Sequence, residues 1–136
     1  MRVVFVTVLS AAAMAAATPS ARIEAHHAFA AEFDANKPIE LKGIVTRLQW
    51  TNPHSWLYVD VAGADGQLTS WAVEFGAPYS LMQKGLRKTD FPIGVEVVVK
   101  GHRAKNGKAV ANASSVTLPN GRGFYTGADD APGETR

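Results

Sequence analysis

The chain has 136 residues, with 14 Lys and Arg against 12 Asp and Glu, four His and no Cys. That length holds one domain and little more, and 46% hydrophobic with 19% charged residues makes it globular rather than disordered. The missing cysteine excludes disulfides, Cys-type zinc sites, a thiol nucleophile and a lipid-anchored N-terminal Cys, and a formal charge of +2 is too small for a polyanion-binding surface.

Met1-Arg2 precedes an apolar run from Val3 to Ala17 and then the polar stretch Thr18 to Arg22. A basic start, an apolar stretch of about 15 residues and small residues after it are the parts of a secretory signal peptide. A membrane-spanning helix needs about 20 apolar residues, so residues 1–25 are expected to be a leader and the product periplasmic or secreted, from a Gram-negative bacterium, without membrane insertion after cleavage. Small residues at Ala17, Ala21 and Ala25 each offer a cleavage point, and the last leaves a nearly neutral chain beginning His26-His27.

Residues 26–38 form an N-terminal arm in which Phe29 and Phe33, spaced i,i+4, suit a short helical turn before Asp34 to Pro38 breaks it. Ile39 to Trp50 is a strand in two phases, with Ile39, Leu41, Gly43 and Val45 on one face and Ile44, Thr46, Leu48 and Trp50 on the other. A change of phase beside Gly43 predicts a bulge or bend there. Thr51 to His54 is a turn. Ser55 to Val61 is a second strand with Leu57, Val59 and Val61 inward. After the Gly63 to Gly66 connection, Thr69, Trp71, Val73 and Phe75 mark one face of a third.

Pro78 opens a helix carrying Tyr79, Leu81, Met82 and Leu86, and Gly85 lies near its end. Val95 to Gly101 is a fourth strand. Asn106-Gly107 predicts a type I′ hairpin into a fifth, Ala109 to Leu118. Residues 120–136, rich in Gly, Asp, Pro and Thr, read as a flexible tail. The order strand, strand, strand, helix, strand, strand over residues 39–119 is that of a five-stranded OB-like β-barrel. The fold class is therefore all-β with one short helix, the alternative being an antiparallel β-sandwich.

Four stretches bear on kinship. His26-His27-Ala28-Phe29-Ala30-Ala31-Glu32-Phe33-Asp34, the block Trp50-Thr51-Asn52-Pro53-His54-Ser55-Trp56, and Trp71 to Gly76 with Ala111-Asn112-Ala113 resemble a family of small exported bacterial proteins known as domain of unknown function 6152. The resemblance covers about residues 26–124. It implies export and a single small β domain, and it brings no activity, cofactor or catalytic residue with it.

OB barrels bind ligands on the face of strands two and three, beside the loop joining strands one and two. That region offers Trp50, Asn52, His54, Trp56 and Tyr58, whose rings, amide and imidazole suit a sugar, a nucleobase or a peptide side chain. The plainer reading has Trp50 and Trp56 covering the barrel end. Glu74 adjoins this group and reads as an exposed strand carboxylate; a His54–Glu74 acid–base pair requires the fold to join them. The expectation is a surface binding module for a small molecule or a protein partner.

The alternative is a copper site at His26 and His27, where a free amine, an imidazole and a backbone nitrogen chelate Cu(II) if cleavage follows Ala25, with His54 or His102 as a further ligand. No other cofactor is expected. Nucleic acid is not expected as a partner, because Arg103, Lys105 and Lys108 make only a small basic footprint. Nor is catalysis: no serine elbow, P-loop, dinucleotide fingerprint or H-E-x-x-H motif occurs.

Overall fold

Six strands and a short helix, with a helical turn at 29–32 and a 3-10 turn at Lys88–Asp90, make up residues 29–127, the part of the chain that the computed structural model describes. The strands are β1 (Phe33–Gln49), β2 (Ser55–Ala62), β3 (Leu68–Phe75), β4 (Glu96–Ala104), β5 (Val110–Thr117) and β6 (Gly123–Tyr125), with helix α1 (Pro78–Gln83) between β3 and β4. Neighbours run β3-β2-β1-β4-β5-β6, all antiparallel. A short parallel pairing of Ala72, Val73 and Glu74 with Val110, Ala111 and Asn112 joins β3 to β5 and closes five strands into a ring. The chain is all-β with one short helix, as expected. No helix among the described residues is long and apolar enough to cross a membrane.

Alternation places the core. Leu41 and Val45 of β1, Leu57 and Val59 of β2, Val73 and Phe75 of β3, Val97 and Val99 of β4, and Ala111, Ala113 and Val116 of β5 all point into the ring. Each fully buried large side chain contributes about 1.5–3 kcal/mol relative to exposure. Helix α1 is too short to stand alone; it is held by buried Leu81 and by a tight C-terminal closure. There Gly85 takes φ +88, Leu86 N–H donates to Leu81 at 3.0 Å and Gly85 N–H to Met82 at 3.0 Å, the paired bonds of a Schellman motif. Leu86 follows into the core.

Four local expectations are corrected. First, β1 begins at Phe33, not Ile39: Phe33 is buried, pairs across to Ala104 and stacks on Phe29 at 5.7 Å, so the arm's second half joins the sheet. Residues 29–32 are helical, and the register between Phe33 and Pro38 is irregular. Second, the bulge in β1 falls between Val45 and Arg47 rather than beside Gly43. The inward run therefore continues through Val45, leaves Ile44 exposed and resumes at Leu48. Gly43 instead permits close approach to β2, since a Cβ there would stand 3.0 Å from the Asp60 carbonyl and the Val59 Cβ.

Third, Asn106-Gly107 does not make a type I′ turn, because only the glycine has positive φ and that turn requires two such residues. The link is longer, with Asn106 Oδ1 accepting from Lys108 N–H at 3.0 Å. Fourth, part of the supposed tail is structured. Gly123–Tyr125 pairs with β5, and Thr126 is fully buried where its carbonyl accepts from Gly76 N–H at 2.7 Å. Residues 128–136, the rest of that segment, lie outside the described residues, as does the leader, 1–25.

Candidate functional site

On β3, Val73 and Phe75 point inward, so Glu74 points outward, where a carboxylate should be solvated. It is instead only 8% exposed. The expectation of an ordinary exposed carboxylate is wrong, and the reason lies in the register. Glu74 stands between Trp56 on β2 and Asn112 on β5, and Asn112 in turn stands beside His102 on β4. One outward row thus crosses four strands. His54, the last residue of the β1–β2 loop, places its Nδ1 on Glu74 Oε1, while Asn112 Nδ2 donates to Glu74 Oε2 at 3.3 Å.

Burying a carboxylate is costly unless hydrogen bonds compensate it; here each oxygen has a partner. A carboxylate only accepts, so the hydrogen between the two groups sits on His54 Nδ1. In the neutral ring, Nε2 then carries the lone pair. The His54 side chain is 51% exposed against 10% for that of Glu74, so this pair presents an oriented imidazole at the surface. It can accept a hydrogen bond, take a proton or coordinate a cation.

The other expected site residues are distributed around this pair. Trp56 is half-buried on the same outward face as Glu74. Tyr58 lies two residues further along that face, where its hydroxyl donates to Gln49 Oε1 at 2.7 Å and Arg47 covers its ring at 4.1 Å. Asn52 is exposed in the loop and its bond to Pro53 is cis. Trp50 packs partly buried against the core, as the plainer reading had it. His26 and His27 lie outside the described residues. Among the described residues no group of three or more His, Cys, Asp or Glu is placed to hold a metal ion.

Asn112 is the member of this hydrogen-bonded group that reading the sequence did not nominate. Its signal is faint: an amide flanked by two small inward residues, Ala111 and Ala113, both fully buried. Beyond His102 the outward row opens into a groove of about 460 Å³ lined by Ile39, Glu40, Lys100, His102, Ser114 and Ser115, among others.

A protein-family model described as a family of unknown function, DUF6152, matches residues 11–113. The chain belongs to this family. The matched span takes in His54, Glu74 and Asn112 and stops one residue past the amide, so DUF6152 covers the whole hydrogen-bonded group but not β6. No curated protein and no solved structure matches the chain.

Proposed function

We propose that this DUF6152 protein is an exported binding module whose site is the outward face around His54, Glu74 and Trp56. The observation that carries the reading is the buried carboxylate holding His54 Nδ1, which leaves Nε2 directed outward. An ordinary surface histidine needs no buried anion behind it. A carboxylate–imidazole pair of this kind fixes ring orientation and tautomer, and such pre-organisation lowers the entropy lost on binding. Trp56 supplies a flat apolar surface next to a strong acceptor, which suits a small polar ligand with one apolar face, such as a sugar ring. The apolar run of the leader supports export to the periplasm or beyond. Catalysis is not part of this reading.

The test is a panel of mono- and disaccharides, nucleosides and dipeptides followed by the His54 ring nitrogen signals and by tryptophan fluorescence. At least one class should shift Nε2 of His54 in the wild-type chain, and Trp56→Ala should remove that shift while the fold persists by circular dichroism. A panel that leaves Nε2 unmoved refutes the reading. So does a Trp56→Ala chain that unfolds, because that ring would then be a core element.

A further inference from the structure

We infer that the groove across β1, β4 and β5 is a second binding site, for a neutral polyhydroxylated ligand such as a monosaccharide. Its polar groups are Glu40, Lys100, His102, Ser114 and Ser115, none of which bonds to His54 or Glu74. The inference therefore does not depend on the reading of the His54 face. Three observations carry it.

The first is how two successive serines come to face outward together. Strict alternation in β5 would turn one of them into the core. Lys100 pairs with Ser115 but Gly101 pairs with Ala113, so Ser114 is the extra residue of a bulge. Both serines are consequently half-buried on the outer surface, between Ala113 and Val116, which are fully buried. Bulges re-aim side chains in this way, and here the backbone is fixed by Thr126 N–H donating to the Ser114 carbonyl at 2.9 Å. Neither hydroxyl is engaged by another described residue.

The second is the space. Gly101, opposite the bulge, adds no side chain, so the groove runs over its backbone between Pro38, Ile39 and Glu40 on β1 and the serines on β5. Its volume of about 460 Å³ falls within the roughly 300–1,000 Å³ of small-molecule sites. Exposed Pro38 and half-buried Ile39 supply an apolar side for the C–H bonds of a sugar ring.

The third is the complement of donors and acceptors. Glu40 only accepts, Lys100 only donates, and each serine does both. His102 has its Nδ1 buried without a partner; orphaned donors are rarer than orphaned acceptors, so its proton belongs on Nε2 and the ring is a further donor. The charges decide the ligand class. Glu40 and Lys100 stand 3.7 Å apart, so an anion drawn to Lys100 is repelled by Glu40 from nearly the same range, and the two Coulomb effects cancel. A neutral diol meets no such opposition: one hydroxyl donates to Glu40, its neighbour accepts from Lys100, and the serines and His102 take the remaining oxygens.

The experiment is an amide NMR titration of the full chain with glucose, galactose, N-acetylglucosamine and myo-inositol, with inorganic phosphate as the anionic control. At least one of the four neutral compounds should shift Lys100, His102, Ser114 and Ser115 saturably, and phosphate should not. Ser114→Ala and Ser115→Ala, which remove only a hydroxyl each, should weaken that binding about threefold to tenfold. Glu40→Gln should weaken it about tenfold or more, since a charged acceptor is lost, and should admit phosphate. His54→Ala should leave it within about twofold, because the two sites share no side chain. No saturable shift with any of the four overturns the inference, as does phosphate binding to the wild-type groove or unchanged binding in both serine variants. Compounds that move His54 Nε2 and leave the groove still also overturn it while the His54 reading stands; compounds that move the groove alone support it and count against that reading.

Discussion

Glu40 on β1 faces Lys100 on β4 at 3.7 Å, and Glu96 on β4 faces Lys42 on β1 at 3.3 Å, with all four side chains mostly in water. Glu74 on β3 also occupies an outward strand position, yet it is nearly closed off, and its partners are an imidazole and an amide rather than a lysine. Residue type and strand parity are the same in both regions; what differs is the neighbouring strand. β1 and β4 meet in a long antiparallel ladder, regular from Pro38 to Ile44, whose outer face is open, so cross-strand pairs there are solvated and contribute about 0–1 kcal/mol each. β3 meets β5 and the β1–β2 loop together, and that three-way junction is what shuts solvent out. Charge on an outward strand face is therefore cheap or costly according to how many elements converge on it.

The most severe way to break this contrast is to separate the strands that carry the row. A Cβ at Gly101 would stand 2.0 Å from the Asn112 carbonyl oxygen, a backbone clash that cannot be relieved by a rotamer. Gly101→Ala should lose about 3 kcal/mol or more in urea unfolding; an unchanged midpoint means β4 and β5 are held further apart than described. Next comes Glu74→Ala, which strips the buried partner from both His54 and Asn112 and should cost about 2 kcal/mol. Asn112→Ala removes one of the two bonds and should cost about 1 kcal/mol by the same measurement.

At the far end, Glu40→Gln and Glu96→Gln should each change stability by under about 0.5 kcal/mol. A double-mutant cycle sharpens the comparison further: His54 with Glu74 should couple by about 1 kcal/mol, and Lys100 with Glu40 by nearly nothing. Equal coupling energies would erase the distinction between the two regions.

Much of this fold could be read from alternation alone, because strands β2 and β3 have one inward parity throughout and their turns are marked by glycine, Asp65 and Pro53. The helix too was legible, since Pro78 and Gly85 bracket it and Leu81 and Leu86 need burial. What failed did so where the contact is distant in sequence. Sequence points to a break in β1 at Gly43 because glycine is the visible irregularity, whereas the bulge at Thr46 follows from the register against β2. The strand Gly123–Tyr125 was hidden by its glycines and shortness; its order comes from pairing to β5. Glu74 is the instructive residue. Nothing within its own strand distinguishes it from an exposed carboxylate, since its burial depends on Asn112, 38 residues further along. His54, Trp56 and Glu74 could be nominated for the site, but the bond that organises them could not.

The parallel pairing of Ala72, Val73 and Glu74 with Val110, Ala111 and Asn112 has a kinetic corollary. It comprises three residue pairs against eight in the β1–β4 ladder, so few contacts repay its closure entropy and it is recovered late. A chain that has formed β1, β2, β3 and α1 already holds Glu74 and His54, yet lacks the amide that completes them. The face around His54 and Glu74 is then the last thing to mature and the first to open. Amide hydrogen exchange at Val73 and Ala111 should report that opening before the β1–β4 ladder loosens, which makes the site a gauge of whether the ring is shut.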